Sequence, residues 1–146
     1  MNNGFVKVAA ATPKIKVGDC GYNGAQICKI IDEVYDNGAQ LVVFPELCIT
    51  GYTCSDLFWQ KSMLDMAKTH LQFIAEHCED KDIVAIVGLP MIYRSKLYNV
   101  SSGVTDNVQL LILRALVHMT VLVDDLHSRF SFDNVVLNKN KKRFTP

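Results

Sequence analysis

Charge bias of either sign is missing from this sequence: 15 Lys plus Arg balance 15 Asp plus Glu over 146 residues. A chain so balanced presents no basic field to gather nucleic acid or anionic lipid, so neither is expected as a partner. The amino terminus lacks the charged segment and apolar stretch of a secretory signal. The apolar stretch Val108–Val123 falls short of about twenty residues and carries Arg114 and His118 in its middle, which argues against a membrane span. A cytoplasmic location is the expectation. Cysteine is present but unpaired in pattern: five residues, at positions 20, 28, 48, 54 and 78, with no Cys-x-x-Cys spacing. An odd count without that spacing excludes a disulfide framework and a structural zinc site as organising devices.

What is there fits one soluble globular domain. Hydrophobic residues make up 49 % and charged residues 21 %, and the length suffices to bury a sizeable core. Phe5–Ala11 reads as a strand stopped by Thr12-Pro13. Asn23 is the expected N-cap of a helix to about Asn37, with Ile27, Ile30, Ile31, Val34 and Tyr35 forming an apolar stripe. Asp36-Asn37-Gly38 is its stop signal. Leu41–Phe44 is a second, buried strand. Ser55 and Asp56 are expected to cap a helix over about 61–78, with Leu57-Phe58-Trp59 as a short separate turn. Cys28 and Cys78 fall on apolar helix faces, where a thiol packs as a small hydrophobe. His70 and His77 lie seven apart on the second helix, but no carboxylate or thiolate completes a metal set. Ile83–Val87 is a third strand closed by Gly88-Leu89-Pro90. Met91–Tyr93 extends it toward a hairpin tip at Arg94-Ser95-Lys96, and the chain returns through Leu97-Tyr98-Asn99. Asn107, Arg114, His118 and Asp125 are spaced 7, 4 and 7, which predicts an amphipathic helix over Val108–Val123.

The stretch from Leu41 to Phe58 carries the chemistry. Pro45 cannot donate a ladder hydrogen bond and ends the strand. Glu46 follows, where a buried sheet opens toward a crevice and α/β proteins place their ligands. Partial desolvation there would suit a carboxylate to general-base work. The residues alone leave a second reading open, a solvated strand-end or loop-capping Glu. Cys48 and Cys54 flank Tyr52 and are candidates for a reactive thiol, although no His stands beside them.

Val-Val-Phe-Pro-Glu followed by Leu-Cys-Ile-Thr-Gly-Tyr resembles the first catalytic segment of the carbon–nitrogen hydrolase (nitrilase) superfamily. The continuation Gly51-Tyr52-Thr53-Cys54-Ser55-Asp56-Leu57-Phe58 resembles the amidase domains of glutamine-dependent NAD synthetases, as do the opening residues 4–13 and Val87-Gly88-Leu89-Pro90. The resemblance implies an α/β fold, an incomplete α-β-β-α sandwich of about four strands and two helices, followed by the C-terminal helix. It makes Glu46 the general base of a Glu–Lys–Cys triad and places Tyr52 and Asp56 along the substrate site. Glutamine would be the substrate and no cofactor is implied for the amidase; ATP and Mg belong to a synthetase domain not represented here.

The resemblance covers roughly residues 4–99, which makes residues 1–99 the N-terminal part of a carbon–nitrogen hydrolase domain. Residues 100–146 contain neither the Pro-Lys-x-Tyr-x-Pro segment nor the Cys-Glu-Asp elbow that carry the other two triad members, and are expected to be a divergent tail, frameshifted or genuine. On that reading this chain by itself has no glutaminase activity. Two alternatives stand beside it: a non-catalytic α/β interaction module that uses its apolar tail helix to bind a partner or itself, and a piece of another nitrilase-superfamily amidase.

Overall fold

The computed structural model describes residues 5–105, 108–112 and 134–138. The elements run β1 (Val8–Ala10), α1 (Cys20–Asp36), β2 (Leu41–Val43), a 3-10 turn (Ser55–Trp59), α2 (Lys61–His77), β3 (Val84–Tyr93), β4 (Lys96–Thr105), β5 (Val108–Ile112) and β6 (Asn134–Asn138). They form one mixed sheet in the order β1-β2-β3-β4-β5-β6. The first three strands are parallel, joined through α1 and α2, and the rest are antiparallel.

Side-chain alternation divides the sheet into two unlike faces. Val42, Ala85, Val87, Leu89, Val100 and Val104 are fully buried and join the apolar sides of the helices, among them Ile27 and Ile31 of α1 and Ala67, Leu71 and Ile74 of α2. On the opposite face Val8 and Val43 remain 62 % and 40 % exposed. The helices therefore cover one side only. This mixed α/β arrangement is the one expected.

Helix α1 begins earlier than the sequence suggests. Its N-cap is Asp19, whose carboxylate accepts from the Tyr22 N–H at 2.9 Å. Asn23, the expected cap, lies within the first turns and is fully buried. Its side chain serves three loop groups instead: Nδ2 donates to the carbonyls of Lys16 (2.8 Å) and Ile49 (3.0 Å), and Oδ1 accepts from Lys16 N (2.7 Å). A short amide that can compete for backbone partners has been used to join two loops rather than to start a helix. The stop signal reads as expected: Gly38 takes φ +79° and donates to the Tyr35 carbonyl at 2.7 Å.

Ser55 and Asp56 do not cap α2. They belong to the preceding 3-10 turn, and Gln60 occupies the N-cap position without a side-chain hydrogen bond. Strand β3 continues through Pro90 to Tyr93. The carbonyls of Ile86 and Gly88 point toward the β2 side, accepting from Phe44 N and Ile49 N. Pro90 shares their parity, so its missing N–H faces a side where β2 has already ended, and no ladder bond is lost. The hairpin turns on Arg94 and Ser95, both at positive φ (47° and 63°).

The helix expected over Val108–Val123 is not formed over its first five residues. Val108–Ile112 is a strand, paired with β4 from Thr105↔Val108 to Ser101↔Ile112. An open edge beside an apolar run supplies ladder bonds that outweigh a helical spacing built on a few polar residues. The rest of that stretch, with Asn107, Arg114, His118 and Asp125, lies outside the described residues, as does the basic run at Lys139–Lys142. Strand β6 pairs with β5 where the sequence suggested only tail.

Candidate active site

Glu46 stands on a tight turn immediately after β2, and the turn is fastened at both ends. On its near side Phe44 N donates to the Ile86 carbonyl at 2.9 Å. Beyond it, Gly51 N and Thr50 N close onto the Leu47 carbonyl at 2.7 and 3.2 Å, with Leu47 held at φ +52° and Gly51 at φ +90°. Ile49 N then reaches the Gly88 carbonyl at 3.2 Å. A second loop holds the turn from the other direction, through Gly18 N to the Thr50 carbonyl (2.8 Å) and the Asn23 amide to Ile49.

Gly88 is what allows the turn to lie so close to β3. A Cβ there would fall 2.5 Å from Leu47 N and 3.0 Å from both the Cα and the carbonyl carbon of Glu46. Because Val87 and Leu89 point into the helix-covered core, alternation directs the absent Gly88 side chain to the opposite face. Glu46 is thus supported on the face that the helices leave open.

The Glu46 side chain is exposed, so the partial desolvation expected of it is not present in the described structure. Its environment is nevertheless specific: the Asn99 side-chain amide, on β4, donates to Glu46 Oε1. Asn99 sits opposite Pro90 in the hairpin register. Tyr52 (67 % exposed) lies further along the same loop and Asp56 in the 3-10 turn that follows it, both turned to solvent. Among the described residues neither makes a side-chain hydrogen bond to Glu46.

The two cysteines beside Tyr52 are not activated. Cys48 is buried against β3, with Gly88 N donating to its sulfur at 3.4 Å, and burial pushes its thiol up to about 11. Cys54 is buried too; burial raises its thiol, and its Sγ–H donates to the Thr50 carbonyl at 3.1 Å. A nucleophilic cysteine needs accessible thiolate at neutral pH, and neither provides it. Cys20, Cys28 and Cys78 are likewise buried. His70 and His77 have packing roles. His70 Nδ1 lies 2.9 Å from the Met66 carbonyl, and His77 Nε2 lies 2.9 Å from Asp32 Oδ1, linking α2 to α1. Among the described residues no group of three or more His, Cys, Asp or Glu side chains is placed to hold a metal ion.

Sequence reasoning passed over two residues here. Gly88 served as a strand terminator, yet a glycine inside a β-branched strand is also the mark of a close backbone approach. Asn99 was part of a returning strand. Its signal was weaker, a single amide between Tyr98 and Val100, opposite a proline.

The carbon-nitrogen hydrolase family profile matches residues 7–140, nearly the whole sequence. The chain belongs to the carbon–nitrogen hydrolase family. It is 37 % identical over 97 residues to the glutamine-dependent NAD(+) synthetase of Mycobacterium tuberculosis (strain H37Rv), a match covering 66 % of this chain and 14 % of the relative. The crystal structure of a glutamine-dependent NAD(+) synthetase from Cytophaga hutchinsonii superimposes with a TM-score of 0.65 at 31 % identity, over 69 % of this chain and 17 % of that one. An amidase from Nesterenkonia sp., at 24 % identity and a TM-score of 0.56 over 67 % of this chain and 37 % of the amidase, shares the fold. This carbon–nitrogen hydrolase chain therefore spans about one seventh of the curated synthetase. Its fold carries Glu46 on the turn after β2.

Proposed function

We propose that this chain contributes the first part of a glutamine amidohydrolase domain, one that supplies ammonia for NAD synthesis from nicotinic acid adenine dinucleotide. The observation carrying this reading is the fixed turn at Glu46: a carboxylate on a turn fastened to β3, open to solvent and held by an amide, in a family member similar to glutamine-dependent NAD(+) synthetases. Glu46 acts as general base. It takes the proton of an attacking thiol, passes it to departing ammonia and later activates water for thioester hydrolysis. The amide carbon of glutamine passes through a tetrahedral oxyanion, which a cationic side chain would stabilise. Among the described residues every cysteine is buried, and on this reading the polypeptide by itself lacks glutaminase activity. Tyr52 on that loop and Asp56 on the following 3-10 turn shape the substrate entrance. The amidase step needs no cofactor, ATP and Mg serving only a separate synthetase unit. Among the described residues no helix is long and apolar enough to cross a membrane. The cytoplasm is the proposed location.

The test is a chimera in which residues 7–99 replace the corresponding segment of the M. tuberculosis enzyme. Glu46→Gln in that chimera should remove glutamine-dependent NAD formation by several powers of ten and spare formation from free ammonia. Retention of glutamine-dependent activity would refute the reading.

One observation favours a second reading. Val8 and Val43 leave an apolar face uncovered, which suits an interaction module that associates with itself through that face. A monodisperse dimer by light scattering, dissolved by Val43→Lys, would favour it.

A further inference from the structure

We propose that Asn99 is the positioning residue of Glu46, fixing one carboxylate oxygen so that the other alone is presented for proton transfer. The inference rests on Glu46 being the general base. Donor and acceptor are both referenced to one strand. The Glu46 backbone lies on Gly88, and Asn99 is the register partner of Pro90, two residues further along β3. Gly88 and Pro90 share a face, about 7 Å apart at the usual strand rise. The antiparallel pairing around Asn99 is continuous from Ala85↔Val104 to Tyr93↔Lys96, so its Cα has little freedom. A side chain with three rotatable bonds, otherwise exposed, is thereby given one orientation: Asn99 Nδ2–H donates to Oε1, and Oε2 is left to the reacting groups.

The choice of amide is chemically informative. A carboxamide donates without carrying charge, so it neither competes for the catalytic proton nor forms a tight ion pair that would immobilise it. A Lys or Arg at this position would bind the carboxylate more strongly and weaken it as a base. Asn99 therefore holds the base in place while leaving its proton-transfer role intact.

The whole 146-residue chain, labelled with 15N and 13C, tests this by NMR. In the wild type the Asn99 side-chain amide proton donated to Glu46 should exchange with solvent at least threefold more slowly than the same proton in Glu46→Ala. Glu46 is exposed, so that substitution leaves the fold in place. Conversely, Asn99→Leu, which keeps size and removes the donor, should drop the order parameter of the Glu46 side-chain methylenes to that of an unrestrained glutamate, and Asn99→Gln should restore part of it. Unchanged Asn99 amide exchange in Glu46→Ala, or unchanged Glu46 order in a folded Asn99→Leu, overturns the proposal and leaves the general-base reading standing. A chimera indifferent to Glu46→Gln overturns the general-base reading, and the positioning role falls with it.

Discussion

Replacing Gly88 by alanine asks whether the Glu46 turn is held by its contact with β3. The added methyl would lie 2.5 Å from Leu47 N, about 0.9 Å short of the 3.4 Å at which ordinary contact begins, and 3.0 Å from two backbone atoms of Glu46. All three atoms are backbone, so no side chain can swing aside. The turn must lift off the strand, straining the Ile49 N to Gly88 carbonyl bond. Overpacking of this kind costs about 1–3 kcal/mol. Alanine also restricts the unfolded chain, which returns roughly 0.4–1 kcal/mol, because Gly88 does not occupy the left-handed region. A net loss of about 1–2 kcal/mol follows, a fall of roughly 2–8 °C in Tm for a domain of this size. Thermal unfolding measures it, and amide chemical shifts of Glu46 to Ile49 report the displacement. Gly38→Ala is the control: its Cβ meets nothing within 4 Å, so its cost is left-handed strain alone and those shifts stay put. A Gly88→Ala protein within about 0.3 kcal/mol of wild type, with Glu46–Ile49 shifts unmoved, would refute the reasoning.

Asn23→Ala removes three hydrogen bonds from a fully buried side chain and strands the Ile49 carbonyl inside the core, so urea unfolding should show a loss of about 2–3 kcal/mol; a loss under 1 kcal/mol would mean that water replaces the amide. Burial pushes the Asp32 carboxyl up, but hydrogen bonds from His77 and Lys81 outweigh it and hold Asp32 below the usual range. A lowered carboxyl stabilises the fold fully above its unfolded value, about 3.9, and that contribution is lost as pH falls through the lower folded value. Asp32 is 46 % exposed, so the contribution is under about 1 kcal/mol. Asp32→Asn should therefore lower Tm slightly at pH 6 and leave it unchanged near pH 2; equal shifts at both values would refute the assignment.

The parts of the fold that could be read from sequence were those in which one strong local signal met no competitor. Leu64, Ala67, Leu71 and Ile74 form a single apolar stripe, and α2 follows it. Leu41–Val43 has no polar residue to argue over. Asn23 misled because an amide suited to capping is equally suited to bridging loops, and Asp19 lay four residues upstream to take the cap. Val108–Ile112 misled because its helical spacing was counted without the open edge of β4, a partner that no local window contains. At the site, the motif located Glu46 but not its surroundings. Exposure depends on what else covers that face of the sheet, and the Asn99 contact joins residues 53 positions apart. Gly88 was the one long-range relation that the sequence advertised, since a glycine amid valine and leucine asks what backbone approaches it.

The proline in β3 has a consequence for how this molecule meets others. Past Gly88 the hairpin arm extends beyond the last residue of β2 and would present its outer rim as a template for a passing extended chain. Pro90 stands at the start of that rim with no N–H to offer. An incoming strand would find no donor at Pro90 and one outward residue beyond it, Ile92, too little to zip. The same ring that costs the native ladder nothing thereby protects the arm beside Glu46 from edge-to-edge polymerisation.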